Sequence, residues 1–302
     1  MPVPYGGIIL QGTGMPVHWG GTHICVPYNS GICVPCEIKK MKIKIILIIS
    51  LVLLGVLVIY WQSKDSSKLV FCDVGQGDAM LIREGNWEML LDVGGDDGKV
   101  MRCLERHVPF WDKTIELVII SHWDKDHCGG LIKLSRYYKI NDLLANRLPG
   151  GEYEQYSYSK VLNVGDVVQV GKVRFDVISS SIENVNDGGE ENDSSLVGIL
   201  YYRDNKILMM GDAGAEVEQK LVWRGMLKQI QHDGGIDILK VSHHGSGTST
   251  SDDLINMVRP KIAVVSVGRN SYGHPSMEVI NRLENFGVEV KRTDKSGDVM
   301  VN

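Results

Sequence analysis

The sequence predicts an α/β fold of four layers, two packed β-sheets flanked by helices (α/β/β/α), preceded by one membrane-spanning helix. Three observations carry this reading. Strand-like apolar runs alternate with short helical patterns in both halves of the chain beyond residue 67. Acidic and imidazole side chains recur where those runs end. One apolar stretch stands near the start, from Ile45 to Trp61, interrupted by Ser50 and Gly55 and closed by Tyr60 and Trp61.

That stretch is at the lower limit for crossing a bilayer, and Ile43 extends it, so the anchor is placed at residues 43–61. Lys39, Lys40, Lys42 and Lys44 precede it, which predicts a cytoplasmic N-terminal flank and puts everything from Gln62 onward outside the cytoplasm. A cleavable signal peptide is the competitor; Val58-Ile59-Tyr60-Trp61-Gln62 offers no small-residue cleavage site, so an uncleaved anchor is expected. Residues 1–40 are rich in Gly and Pro, show no periodicity, and carry a lone C-x-x-C at Cys33-Val34-Pro35-Cys36. They are expected to be disordered or untranslated, with Met41 as the start. Cys72, Cys103 and Cys128 are expected to be buried free thiols outside any disulfide framework. The 302 residues can bury a large core, and a net charge of −5 argues against a dominant nucleic-acid surface while leaving room for a local basic groove.

After a linker at 62–67, the domain at 68–302 opens with a meander: strands at Lys68–Val74, Ala79–Arg83 and Trp87–Val93, with turns at Gly75-Gln76-Gly77-Asp78 and Glu84-Gly85-Asn86. A helix at Val100–His107, a buried strand at Glu116–Ser121 and a helix at Leu131–Tyr138 follow. Pro149–Ser159 reads as a polar, Tyr-bearing loop, either a packed lid or, through Tyr153, Tyr156 and Tyr158, a stacking surface for bases. The second half continues with strands at Val167–Val170, Lys172–Ser179, Leu196–Arg203, Lys206–Met210, Ile236–Val241 and Ile262–Val267. It closes with strands at Glu289–Arg292 and Val299–Val301. Its helices lie at Ala215–Gly225, Asp252–Val258 and Ser276–Phe286, the last with Met277, Val279, Ile280 and Leu283 at helical spacing.

The densest chemistry is Ser121-His122-Trp123-Asp124-Lys125-Asp126-His127, four candidate ligands directly after the apolar run Leu117–Ile120. His122 and Asp124 project to one side as the strand ends; Asp126 and His127 follow in a turn that Gly129-Gly130 allows to fold back. Asp92, Asp212 and the pair His243-His244 close other strands, so separate donors can meet at one end of the sheets, enough for two metals with Asp212 bridging.

The order D-x-G, S-H-x-D-x-D-H-x-G-G, G-D and H-H-G-S resembles the metallo-β-lactamase superfamily. Within it, Asp73-Val74-Gly75-Gln76-Gly77-Asp78, Asn192–Val197 and Tyr272-Gly273-His274-Pro275 are similar to the ComEC-type competence family, whose corresponding domain is an extracytoplasmic hydrolase of a DNA-uptake channel. The resemblance covers about residues 68–302. It does not extend to the family's multi-helix channel or its oligonucleotide-binding-like domain, so a stand-alone anchored hydrolase is expected. The sequence departs from the usual H-x-H-x-D-H by Asp124 at the second His, and Asn192 or Ser195 stands where a middle His is usual. Oxygen donors thereby replace two imidazoles, which favours Mn²⁺ over Zn²⁺.

The resemblance implies His122, Asp124 and Asp212 on one metal. Asp126, His127, Asp212 and one of His243 or His244 would hold the other, with His244 preferred because Gly245 frees the backbone to turn it inward. Asp126 is expected to orient or deprotonate the nucleophilic water, and His274 to bind phosphate or protonate the leaving oxygen. Asp92 and Asp78, with Asn192 and Ser195, are expected to support the ligands from behind. Ser246 in Gly245-Ser246-Gly247, Lys125, Lys240 and Arg269 are the candidate substrate contacts.

As the resemblance implies, the leading expectation is an anchored, extracytoplasmic, metal-dependent phosphodiesterase acting on single-stranded DNA beside a separate uptake channel. The alternatives are a hydrolase of a small ester, lactone or cyclic phosphodiester, and a non-catalytic DNA tether.

Overall fold

A computed structural model describes residues 36–64, 67–180, 191–223, 227, 230, 232 and 234–301. Most of the stretch 1–40 therefore lies outside the described residues. The chain forms two units, residues 1–61 and 62–302.

In the first unit, helix α1 (Cys36–Lys64) contains the expected anchor. Its Lys40–Tyr60 segment has a mean hydropathy of 2.9 over 21 residues and is exposed throughout. At 1.5 Å per residue such a segment spans roughly 30 Å, the thickness of a bilayer's hydrocarbon core.

The second unit is the expected four-layer sandwich. One sheet has the order β14-β1-β2-β3-β4-β5-β6 and the other β13-β12-β11-β10-β9-β8-β7. The first is built from β1 (Ser67–Phe71), β2 (Ala79–Glu84), β3 (Trp87–Val93), β4 (Thr114–Ile120), β5 (Lys139–Ala145) and β6 (Lys160–Val161), with β14 (Val299–Val301) returning from the C-terminal end to pair with β1. The second comprises β7 (Val167–Val170), β8 (Val173–Ser179), β9 (Val197–Tyr202), β10 (Asn205–Met209), β11 (Ile238–Lys240), β12 (Ile262–Val265) and β13 (Glu289–Arg292). In each sheet an antiparallel meander leads into parallel strands: β3, β4 and β5 in one, β10 to β13 in the other.

Side-chain alternation sorts the core into three layers. Leu69, Phe71, Met80, Ile82, Met89 and Leu91 face Phe175, Val177, Leu200, Ile207 and Met209 between the sheets. On the outer face of the first sheet, Val70, Leu81, Leu90 and Val118 pack with Cys103, Leu104, Leu131 and Leu134 of α2 (Lys99–His107) and α4 (Leu131–Tyr137). The second sheet's outer face meets α5 (Ala215–Trp223), α6 (Asp252–Val258) and α7 (Met277–Asn285) through Val217, Leu254, Ile255, Val279 and Leu283. Both faces of each sheet are covered, which is why strands such as Leu117–Ile120 are continuously apolar. Each fully buried Leu or Ile contributes about 1.5–3 kcal/mol.

Two readings need correction. Cys72 and Cys103, 31 residues apart, form a disulfide that ties the end of β1 to α2, and Cys128 is a free, buried thiol. Strand β5 was not expected: its burial runs exposed at Lys139, Asn141 and Asp142 and buried from Leu143 to Ala145, so it lacks the alternation that marks a half-buried strand.

Candidate metal centre

The donors converge at one end of the two sheets. From the first sheet, β4 ends at Ile120 and delivers Ser121, His122 and Asp124; Asp126 and His127 sit on the short helix α3 (Lys125–Cys128). Gly77 (φ 127) lies so close to the Asp126 carbonyl that a Cβ there would overlap it, and the Asp78 amide donates to that carbonyl at 3.1 Å. From the second sheet, Gly211 (φ 53) turns the chain after β10 to present Asp212. His243 and His244, at φ 47 and 52, follow β11 in left-handed backbone. Such conformations cost of order 1–3 kcal/mol each and persist where the surroundings over-determine them.

Three imidazoles share one arrangement. Ser121 Oγ donates to Asp92 Oδ2 at 2.7 Å and is left to accept from His122 Nδ1 at 3.0 Å. His127 Nδ1 bonds to Asp92 Oδ2 at 2.9 Å. His244 Nδ1 donates to the Ser266 carbonyl at 2.9 Å. With each Nδ1 engaged, the buried Nε2 atoms of His122, His127 and His244 make no hydrogen bond, and neither does Asp212 Oδ1; His127 Nε2 and Asp212 Oδ1 face each other at 3.1 Å. Ligand atoms of His122, His127 and Asp212 lie within 4.8 Å of one another, as do those of Asp126, His127 and His244. Imidazoles fixed through one nitrogen, with the other buried and facing carboxylates, suit divalent cations.

The electrostatics point the same way. Burial opposes charge on His127, but Asp212 and Asp92 outweigh it and hold its pKa well above the ordinary value. His244 is likewise pushed up to about 10, against burial, by Asp212, Asp126 and Asp78. Burial works against the Asp212 carboxylate, yet His127 and His244 keep it well below its usual range. The carboxylates thus favour positive charge among the donors, a place that bound cations would take in exchange for protons.

The remaining expected residues divide. Asp124 is half-buried with Oδ2 3.5 Å from His122 Nε2, and Asp126 is half-buried with Oδ2 3.2 Å from His244 Nε2. His243 is turned outward, its Nε2 3.9 Å from Asp212 Oδ2 and its ring edge-on to His274 at 5.3 Å. His274 is half-buried with Nδ1 unbonded, and burial, then His243 and His244, lowers its pKa. Ser195 Oγ accepts from the Asp212 amide at 3.1 Å and approaches His122 Nδ1 at 3.4 Å. Asn192 is half-buried in a short 3-10 turn, and its carbonyl accepts from the Ser195 amide. Lys125 is exposed and paired with Asp96 at 2.7 Å; Arg269 is exposed nearby.

Lys240 is not a surface cation: its side chain is buried, and Nζ lies 2.6 Å from Asp78 Oδ2 and 2.9 Å from the Val241 carbonyl. The sequence alone gave no sign that the Lys between Leu239 and Val241 points inward to meet Asp78. Ser246 is also withdrawn from substrate, since it is buried and its amide donates to the His243 carbonyl at 2.8 Å. Tyr153 and Tyr156 are packed in the core and Tyr158 alone of the three is exposed, so the lid reading holds for the first two. Ser121, present in the motif but given no role, is the hinge of the Asp92–His122–His127 network.

The Metallo-beta-lactamase superfamily matches residues 72–269. The chain is similar to ComE operon protein 3 of Bacillus subtilis, 28% identical over 274 residues that cover 80% of this chain and 34% of that protein. It is similar also to Recombination protein 2 of Haemophilus influenzae, 33% identical over 245 residues that cover 80% of this chain and 29% of that protein. Competence protein ComA of Neisseria gonorrhoeae is 29% identical over 242 residues, 78% of this chain and 32% of that protein. The chain spans about a third of the length of these relatives. Among solved structures, the metallo-beta-lactamase fold protein YhfI from Bacillus subtilis aligns with a TM-score of 0.53 at 11% identity, covering 78% of this chain and all of that one. At that identity the likeness establishes the fold alone.

Proposed function

Because the chain belongs to the metallo-beta-lactamase superfamily, we propose that its buried His–Asp cluster serves a metal-dependent phosphodiesterase that cleaves DNA outside the cytoplasm. The observation that carries the reading is the convergence of three buried Nε2 atoms on carboxylate oxygens at 3.1–3.5 Å, without a hydrogen bond to any of them. His122, Asp124 and Asp212 would hold one divalent cation, and Asp126, His127, His244 and Asp212 a second. Cations bound there would supply Lewis acidity to a phosphate oxygen and lower the pKa of a water.

The chain's own groups do the rest. Asp126, the half-buried carboxylate facing the surface groove, orients the attacking water and accepts its proton. Ser121, Asp92, Ser266 and Ser195 fix the imidazole tautomers and the Asp212 loop. His274, with a free ring nitrogen beside His243, is placed to hydrogen-bond a phosphate oxygen of the substrate. Asp124 in place of an imidazole makes the donor set richer in oxygen, and manganese is preferred over zinc.

The lysines in the first turns of α1, ahead of its apolar segment, support an N-terminal flank in the cytoplasm with the catalytic domain beyond the membrane. The Cys72–Cys103 disulfide supports the same placement, since such bonds persist in oxidising compartments. A separate uptake channel would then be the partner that passes DNA inward, in keeping with the competence proteins among the relatives.

The test is cleavage of end-labelled single-stranded DNA by the full chain in detergent. Manganese-dependent cleavage that Asp126→Ala abolishes is expected. Turnover of bis-p-nitrophenyl phosphate without cleavage of any nucleic acid would move the reading to a small diester. Activity restored by zinc alone after chelation, with none from manganese, would overturn the metal preference.

A further inference from the structure

Asp126 lies in a surface cavity of about 390 Å³ with Gln76, Lys99, Lys125, Arg269 and Tyr272. Past Arg269 and Tyr272 it continues into a second depression walled by Asn270 and Ser271. Past Asp96 and Lys125 it continues into a third, lined by Lys133, Arg136, Tyr137, Glu152 and Tyr153. Asp126 thus opens onto the middle one of three adjoining depressions that share lining residues, the outer two forming its arms.

Each arm carries an exposed aromatic ring that contributes nothing to the core. Tyr272 is 74% exposed, yet its loop is firmly held. Asn270 Nδ2 donates to the carbonyls of Gly268 (2.9 Å) and His274 (2.8 Å), and its Oδ1 accepts from the amides of Tyr272 (3.0 Å) and His274 (3.1 Å). The Tyr272 ring lies over His274 at 5.8 Å and 32°, with its other face left to solvent. A ring already ordered loses little conformational entropy when something covers it. On the opposite arm, Lys133, Arg136 and Tyr137 stand at i, i+3 and i+4 on one face of α4, and Tyr137 is 61% exposed.

The charges match a strand rather than a compact anion. Among the described residues, Lys133, Arg136 and Arg269 form no ion pair. Lys125 and Lys99 are held by Asp96 and Asp97 at 2.7 and 2.8 Å, in exposed pairs of little strength. Cations spread along two arms, with an aromatic face in each, suit a chain of phosphates carrying accessible bases.

We propose that this groove is a track for an unpaired DNA strand. Tyr272 and Tyr137 stack on bases on either side of the scissile phosphate, and Arg269, Lys133 and Arg136 neutralise the phosphates between. The proposal rests on the phosphodiesterase reading and supplies what that reading lacks, the residues that select a polynucleotide over a small diester. A base-paired duplex keeps its base faces stacked and offers the tyrosines nothing.

The experiment is equilibrium binding of fluorescent oligodeoxythymidylates to the full chain in detergent, with chelator present so that binding is read apart from cleavage. Affinity is expected to rise with length between about 4 and about 16 nucleotides and to exceed that for duplex. Tyr272→Ala and Tyr137→Ala should each weaken binding by roughly five- to a hundredfold. Arg269→Ala, Lys133→Ala and Arg136→Ala should each lower the slope of log affinity against log salt by about 0.7. No length dependence in the unaltered protein, a preference for duplex, or variants that bind as it does would overturn the track. Strand binding that follows this pattern in a protein that cleaves no phosphodiester would sink the catalytic reading and leave the track standing.

Discussion

In the first half of the sandwich domain, four donors follow one strand within six residues and the backbone there is relaxed: Asp124 is extended and Lys125–Cys128 helical. In the second half, Asp212 and His244 come from the ends of separate strands, and left-handed backbone at Gly211, His243, His244 and Gly245 aims them inward. Strain in the first half falls instead on Asp92 (φ 55), whose carboxylate accepts from Ser121 and bonds to His127 Nδ1. One half presents its donors by local geometry. The other stores strain at its donors and depends on long-range contacts to hold it: the His243 amide to the Gly211 carbonyl, Ser242 Oγ to the Ala213 carbonyl, and the Asp78–Lys240 pair that joins the two halves.

Breaking that joining pair should have the largest effect. Lys240→Met leaves the Asp78 carboxylate buried without its cation, and a loss of about 3–5 kcal/mol in chemical denaturation is expected. Adding Asp78→Asn to Lys240→Met should recover much of it; a Lys240→Met protein as stable as the parent would remove the pair from the account. Next, opening the Cys72–Cys103 bond with a Cys72→Ser, Cys103→Ser double variant should cost about 3–4 kcal/mol, given a 31-residue separation. Metal affinity of that variant, measured by titration calorimetry, should be unchanged if the first half's donors are set locally.

Asp92→Asn probes the support behind those donors. It should weaken metal binding by about 10- to 100-fold, more than Ser195→Ala does, because Asp92 serves two imidazoles through its own bond and Ser121. Equal effects would mean that support is shared evenly between the halves. The smallest effect concerns the C-terminal return. Asp298 accepts from Arg106, His107 and the Asp73 amide; burial opposes its charge, but these partners hold its pKa below the ordinary value. A depressed folded pKa means that this stability is present above about pH 4 and is lost as pH falls through the folded value. Asp298→Asn should therefore cost about 1.5 kcal/mol near neutrality and nothing once the carboxyl is protonated in both states. A penalty that persists in acid would assign the residue a packing role instead.

The contrast between the halves also decides what could be read in advance. The strand order of the meander, the helix at Asp252–Val258 and the motif from His122 to His127 rest on local periodicity and spacing, and they are visible in the chain. The disulfide is not, since nothing in the spacing of Cys72 and Cys103 says that β1 and α2 will meet. Lys240 reads as a surface cation because the carboxylate that draws it inward is 162 positions away, at Asp78. Tyr153 and Tyr156 suggested stacking from composition, whereas the exposed rings beside the centre, Tyr137 and Tyr272, stand in a helix and a short loop whose placement only the fold reveals.

The central claim is that both halves build one shared cluster around Asp212. Manganese binding to the metal-free full chain, followed by calorimetry and electron paramagnetic resonance, tests it most directly. Two equivalents per chain with a spin-coupled signal are expected, and Asp212→Ala should lose the coupling and weaken both sites together. A single equivalent in the unaltered protein, or an Asp212→Ala protein that keeps one site at full affinity, would contradict the claim.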